Sequence, residues 1–396
     1  MGVVEALRLV WDEAFTAYDF GGEHPMAPIR LELTARLADA LGLLDAPGVR
    51  VVSAEPAPDE LLLTVHAADY VEAVRRASTR PVASGLRFGL GTTDVPTFPG
   101  MHEAGARICA ASREVALAVW AGQAGHGVNF TGGLHHAMPA AASGFCVYND
   151  VGVAIRALLD AGAQRVAYVD VDVHHGDGVE KIFWDDPRVL TVSLHENGRV
   201  LFPGTGFPEE IGGPHASGTA VNVALPPGTS DAGWLRAFHS VVPPLLRAFE
   251  PEVLVTQQGC DSHVLDPLAH LALSLDAQRA SYEALHEFAH EFCDGRWVAF
   301  GGGGYEVVDV VPRAWAHLIA IAAHRPVAPG ADVPDSWRDY VTARCGRAAP
   351  QRMTDGADTG YRAWSTGYDP ADAIDRVVLA TRKAIFPLHG LDPYFD

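Results

Sequence analysis

The chain has 396 residues, 48% hydrophobic and 20% charged, which suits one large α/β domain or two ordinary ones and argues against a disordered or fibrous protein. A formal net charge of −20 argues against nucleic acid as a partner, because phosphate binding needs concentrated lysine and arginine; it fits a cationic or neutral substrate, or solubility alone. Five scattered cysteines imply no disulfide framework, and no apolar run reaches membrane-spanning length, so a reducing cytoplasm is the expected home.

In chain order, Leu7–Trp11 reads as a first strand, followed by a polar loop with Tyr18, Asp19 and the segment HPMAPIR. Pro28 sits where helices often begin, and helical spacing runs over Ile29–Leu44. Arg50–Ser53 reads as a short strand and Asp59–Ser78 as a helix with a break near His66. Residues 79–100 form a long loop rich in Gly, Pro and Thr, of the kind that usually carries a function. A helix covers His102–Gly122. From there a strand, a polar tip and a helix alternate. Gly127–Phe130 ends in TGGLHH, Val166–Val173 in HHGDG, Val189–Leu194 in HENGRVLFPGTG, Val253–Thr256 in QQGCDSH, and Trp297–Phe300 in GGGGY. Helical stretches at Val151–Ala161, Ala232–Phe249, Leu275–Phe292 and Val308–Ala322 separate most of these. The alternation predicts a mostly parallel sheet with helices on both faces. In such sheets ligands bind outside the carboxyl ends of the strands, and every polar cluster here falls at such an end. Residues 325–396 are less periodic and read as an extension wrapped on the domain.

The chemistry centres on VAYVDVDVHHGDG, a buried strand that ends in acids and imidazoles. On an extended chain residues two apart share a face, ~6.5–7 Å apart, so Asp172 and His174 can lean toward one ion. Asp261, at the tip of VLVTQQGCD, is the best-placed third ligand. Three ligands with one open position are the catalytic arrangement, and zinc, Fe(II), cobalt or manganese would all be accepted. His135 and His136 follow a tight glycine turn that should point them apart, so each needs its own partner; Asp170 and Asp177 are the unused carboxylates. A carboxylate on one ring nitrogen fixes the tautomer and raises basicity at the other, which suits a general base. Tyr305 follows four glycines and could donate to a developing oxyanion, although GGGG alone fits a phosphate cradle or a flexible loop equally well. No Lys-Ser or Lys-Thr follows, which excludes a P-loop. Phe145 and Phe202 could wall a slot for an aliphatic chain or simply pack in the core.

GGLHHA, ASGFCVYND, YVDVDVHHGDGVE, FPGTG, GCDS and GGGGY resemble, in order, the signatures of the zinc-dependent histone deacetylase superfamily, in the style of its bacterial acetoin-utilisation deacetylase branch. The likeness covers roughly residues 18–325. It implies the three-layer arginase/deacetylase-type α/β sandwich, with 1–325 as the catalytic domain and 326–396 as a packed extension. By the same resemblance Asp172, His174 and Asp261 are zinc ligands (Fe2+ is the alternative ion), His136 with Asp177 is the general base and acid, and His135 with Asp170 is its electrostatic partner. Tyr305 polarises the carbonyl; Gly144, Phe145, Phe202 and Leu268 line an acyl-lysine tunnel; Asp94 holds the substrate backbone at the rim. Arg30 belongs to an internal acetate channel, and Asp170, Asp172, His174, Ser193 and Leu194 to a structural potassium site. The implied activity is hydrolysis of acetyl-lysine on cytoplasmic proteins, with acetylpolyamine hydrolysis, two-manganese ureohydrolase chemistry and an inactive acetyl-lysine binding protein as rivals. His263 stands where binuclear ureohydrolases carry an aspartate, which favours one metal, and apolar Leu268 favours acyl-lysine over acetylpolyamine.

Overall fold

Eight apolar segments become strands: β1 Glu5–Val10, β2 Val49–Val52, β3 Ala124–Asn129, β4 Val166–Asp170, β5 Val189–Glu196, β6 Ala220–Leu225, β7 Val253–Gln257 and β8 Trp297–Phe300. They form one sheet in the order β2-β1-β3-β8-β7-β4-β5-β6, in a computed structural model that describes residues 4–79 and 83–396. Every adjacent pair is parallel. Helices cover both faces, and β4, β5, β6, β7 and β8 are buried along their whole length, which is why their sequences run apolar without alternation.

Several boundaries differ from expectation. The first helix stops at Ala40, not Leu44, because Gly42 takes a left-handed conformation (φ 69°) that ends it. The break near His66 is real: short and long helices run Asp59–Leu62 and Ala68–Thr79. Residues 80–82 of the long loop lie outside the described residues. β6 is an edge strand that the alternation of tips and helices did not reveal. β4 stops at Asp170 rather than Val173, for a reason given below.

Residues 326–396 contain two further helices, Asp335–Cys345 and Ala373–Ile385. Trp337 and Val341 of the first join Leu33, Leu37, Val308 and Ala316 in a small apolar cluster, and Trp337 Nε1 donates to the Leu33 carbonyl at 2.9 Å. That contact explains why the helix Val311–Ala322 is buried all round, Arg313 and His317 included: it is covered on its outer face too. The second helix covers the β6 edge, where Thr381 donates to the Asn222 carbonyl at 2.6 Å, and joins the main core through Val378, Leu379 and Ile385. Among the described residues no helix is long and apolar enough to cross a membrane.

Candidate active site

The four central strands β3, β8, β7 and β4 are neighbours, and the loop leaving the carboxyl end of each contributes to one polar cluster. β3 leads to His135 and His136, β4 to Asp172 and His174, β7 to Asp261, and β8 to the four glycines and Tyr305. The convergence is a property of the sheet order, since these loops are up to 170 residues apart in the chain (135 to 305).

Asp172, His174 and Asp261 are all buried, with one ligand atom from each lying within 4.8 Å of the others. His174 Nδ1 is 3.2 Å from Asp172 Oδ1 and 3.1 Å from Asp261 Oδ2. Two ligands each ~2.1 Å from a tetrahedral ion would stand about 3.4 Å apart. The chain reaches this arrangement by turning, not by extension. Asp170 Oδ1 accepts the Asp172 N–H at 3.1 Å and Asp172 Oδ1 accepts the His174 N–H at 2.9 Å, so each aspartate bends the backbone two residues on and ends β4 early. Gly303 also presses its backbone on the cluster, its N–H donating to Asp172 Oδ2 at 2.8 Å.

The charges show what the cluster requires. Burial and the neighbouring Asp172 charge raise Asp261 to about 6. Burial pulls His174 down, but hydrogen bonds and charge from Asp172 and Asp261 outweigh it and raise the imidazole to about 10. A cation is thus drawn to the midpoint of the three groups. Two carboxylates and an imidazole nitrogen fit a zinc- or iron-class divalent ion.

Beside the triad stand two imidazole–carboxylate pairs. His135 Nδ1 donates to Asp170 Oδ2 and His136 Nδ1 to Asp177 Oδ1, both at 2.7 Å. The glycine turn does not point the rings apart, as the sequence suggested: their Nε2 atoms face each other at 3.0 Å. With a hydrogen on each Nδ1, the two Nε2 atoms share a single further proton at neutral pH. Burial lowers His135, but the charges of Asp170 and Asp172 overcome it and raise the ring to about 9. Burial and the charge on His135 together push His136 down to about 4. His135 holds the extra proton, and His136 is the neutral ring.

Over these groups lies a partly aromatic wall. Phe202, 44% exposed, stands edge-on to His136 with ring centres 5.0 Å apart; Phe145 stands edge-on to Tyr305 at 5.6 Å. Gly144 allows the wall to close on the base, because a methyl there would come within 2.6 Å of His136 Cγ. Tyr305 is half-buried, and burial with the charges of Asp261 and Asp172 raises its phenol well above the ordinary value, keeping it a hydrogen-bond donor. Asp94 Oδ2 accepts the Gly144 N–H at 2.8 Å. Leu268 is half-buried and its N–H donates to Asp266 Oδ1 at 2.9 Å. Arg30 lies buried behind the glycine loop, with Nη1 donating to the Gly302 and Gly304 carbonyls at 2.8 and 3.3 Å. Asp170 and Ser193 are register partners in β4 and β5, with Leu194 next in line. His263, which stands where binuclear ureohydrolases carry an aspartate, pairs with Asp355 of the carboxyl-terminal segment at 2.9 Å.

Reading the sequence overlooked four supports of the site. Gln257 Nε2 donates to Asp172 Oδ2 at 2.7 Å and to the Gly133 carbonyl at 3.2 Å; a glutamine closing an apolar strand was its only signal. Asp150 is buried and takes the N–H groups of Gly133 and Leu134, at 3.1 and 2.7 Å, setting the turn that carries both histidines. Tyr168 donates to Asp170 Oδ2 at 2.6 Å. Asp266, raised to about 7 by burial and Asp261, takes the Tyr305 N–H at 2.9 Å.

Comparison with known proteins finds likenesses along most of the chain. Residues 24–322 match the histone deacetylase domain. The chain is 39% identical over 351 residues to the acetoin utilization protein AcuC of Bacillus subtilis, covering 88% of this chain and 90% of that one. It is 36% identical over 331 residues to AcuC of Staphylococcus xylosus, covering 83% and 85%. An HDAC homolog from Aquifex aeolicus superposes with a TM-score of 0.81 at 26% identity, over 95% of this chain and 99% of that one.

Proposed function

Because the chain belongs to the histone deacetylase family, in its acetoin-utilisation branch, and is a metal-dependent deacetylase, we propose that it removes acetyl groups from lysine side chains of cytoplasmic proteins. Asp172, His174 and Asp261 would hold the ion, zinc or Fe2+, and such an ion would supply Lewis-acid activation of water and of the acetyl carbonyl.

The chain's own groups handle the protons and the orientation. His136, kept neutral by burial and by the charge on His135, accepts a proton from the attacking water at Nε2 while Asp177 holds its Nδ1–H. His135, protonated and braced by Asp170, supplies positive charge beside the oxygen that becomes negative. The Tyr305 hydroxyl donates to that oxygen, the role for which a raised phenol is suited. His136 then returns its proton to the lysine nitrogen as the C–N bond breaks, and the acid proton of the product passes to the amine, giving acetate and the lysine ammonium. Phe145 and Phe202 flank the aliphatic stem of the lysine, with Gly144 and Leu268 completing the tunnel, and Asp94 offers its carboxylate to the substrate backbone at the rim. Arg30 would receive the acetate behind the glycine loop, and Asp170, Asp172, His174, Ser193 and Leu194 at the β4–β5 end would hold a structural potassium ion.

The observation that carries this reading is the pair of carboxylate-braced histidines with facing Nε2 atoms beside a buried three-ligand cluster. Turnover of an acetyl-lysine peptide and of N-acetylputrescine by the metal-loaded protein tests it. A kcat/KM at least tenfold higher on the peptide is expected; the reverse order would make the protein a polyamine deacetylase.

A further inference from the structure

The amino-terminal end of the sheet carries a second group of ligating side chains that deacetylation does not use. His126 is the third residue of β3 and pairs with Leu7 and with Trp297, the first residue of β8. His286 and His290 lie one turn apart near the carboxyl end of the helix Leu275–Phe292, and His324 follows the helix Val311–Ala322. Helices in such a sheet run antiparallel to the strands, so both helix ends arrive where β3 begins. One imidazole nitrogen from each of the four lies within 4.8 Å of the others. The Nε2 atoms of His286 and His290 are 3.2 Å apart, and the His126 ring centre is 4.8 and 4.7 Å from those of His286 and His324.

Two details show preparation for a ligand. His126 is 1% exposed, and its Nδ1–H donates to the Ala322 carbonyl at 2.7 Å. That bond leaves Nε2 as the bare lone pair, and this buried atom has no hydrogen-bond partner among the described residues. A histidine held through one nitrogen by a carbonyl, with the other free, is the usual arrangement of a metal ligand. His324 adopts φ 55° at the helix end, a left-handed conformation where glycine or asparagine is the ordinary occupant.

We propose that His126, His286, His290 and His324 form a second metal site, a closed shell of four imidazoles for a zinc-class divalent ion, separate from the deacetylase centre. Four nitrogen donors without a carboxylate disfavour magnesium and calcium. The stretch His286-Glu287-Phe288-Ala289-His290 has the spacing of metallopeptidases, but four protein ligands leave no position for water, and the site is structural. A bound ion clamps β3 to two helices at the end of the sheet remote from the chemistry.

The test counts metal. Protein loaded with zinc and desalted is analysed by mass spectrometry in three forms: wild type, His286→Ala/His290→Ala, and Asp172→Ala/His174→Ala. Two zinc ions per chain are expected in wild type and one in each double variant, with acetyl-lysine turnover retained in the first and lost in the second. Zinc should raise the thermal midpoint of wild type by several degrees more than that of His286→Ala/His290→Ala. If that double variant fails to fold, His290→Ala, an exposed position, should weaken the second equivalent at least tenfold. One zinc in wild type, two in His286→Ala/His290→Ala, or a second equivalent binding only at millimolar zinc would overturn the proposal. None of these counts depends on which acetylated substrate is turned over.

Discussion

Replacing Gly303 with alanine tests how closely the glycine loop is fitted to the ligand cluster. A methyl built on Gly303 would overlap Asp261 Oδ2 and stand 2.8 Å from Asp261 Cγ and 2.9 Å from Asp172 Oδ2. Non-bonded carbons rest at ~3.5–4.0 Å, so the carboxylate or the loop must retreat by roughly 1 Å. Neither can do so freely: Asp261 Oδ1 takes the Val173 N–H at 2.9 Å, and the Gly303 N–H is bound to Asp172. A misplacement of ~1 Å costs about 10²-fold in rate, or ~2.7 kcal/mol of transition-state stabilisation. The displaced ligand should also weaken ion binding. The expected result is a kcat/KM on acetyl-lysine peptide lowered about a hundredfold, with zinc lost to a chelator concentration that wild type resists. Wild-type kinetics and wild-type metal retention in Gly303→Ala would refute the reasoning, because the cluster would then have slack that the geometry denies it.

Other outcomes follow from the same contacts. The competent form, His136 neutral and His135 protonated, spans the interval between about 4 and about 9, so kcat/KM should fall as pH drops through the lower value or rises through the upper. The charge on His135 helps to hold His136 down; in His135→Asn the acid limb should therefore move to higher pH, and a limb that stays put contradicts the coupling. Asp150→Ala leaves the buried amides of Gly133 and Leu134 without an acceptor, at ~1–3 kcal/mol each, and loosens the turn that carries both histidines. Urea unfolding should show the loss of stability, and kcat should drop with it. Asp375, fully buried, pairs with Arg236 and ties the last helix to the helix Asp231–Phe249. Asp375→Ala removes the counter-charge of that guanidinium, leaving it the Arg362 and Gly367 carbonyls, and should cost about 3–5 kcal/mol in urea unfolding while leaving kcat near wild type; a change below 1 kcal/mol would mean the pair is not buried in solution.

The sequence was most informative where burial is two-sided. A parallel strand covered on both faces must be apolar, so the first polar residues after β3, β4, β7 and β8 stood out as tips, and those tips are the site. It misled where side chains fold back on their own backbone: the alternation in VDVDVH reads as continued strand, yet Asp170 and Asp172 accept N–H groups two residues on and turn the chain. Asp150 was invisible because its partners are in another loop, at Gly133 and Leu134. Gln257 was passed over because a single amide at a strand end carries no pattern of its own. The histidines at 126, 286, 290 and 324 share no spacing beyond one helical turn, so only the fold assembles them. Of the carboxyl-terminal helices, Asp335–Cys345 was missed because few of its residues are apolar, whereas Ala373–Ile385 carries a clear apolar stripe through Val378, Leu379 and Ile385 that was legible and overlooked.

The central claim is that one ion, bound by Asp172, His174 and Asp261, works beside the facing histidines. Anomalous scattering at the zinc edge from crystals of the zinc-loaded protein tests it directly. The account predicts a single peak in that cluster, ~2.0–2.2 Å from one oxygen of each aspartate and from His174 Nδ1. Two peaks ~3.5–4 Å apart, as in a two-metal site, or no peak among these three residues would contradict it.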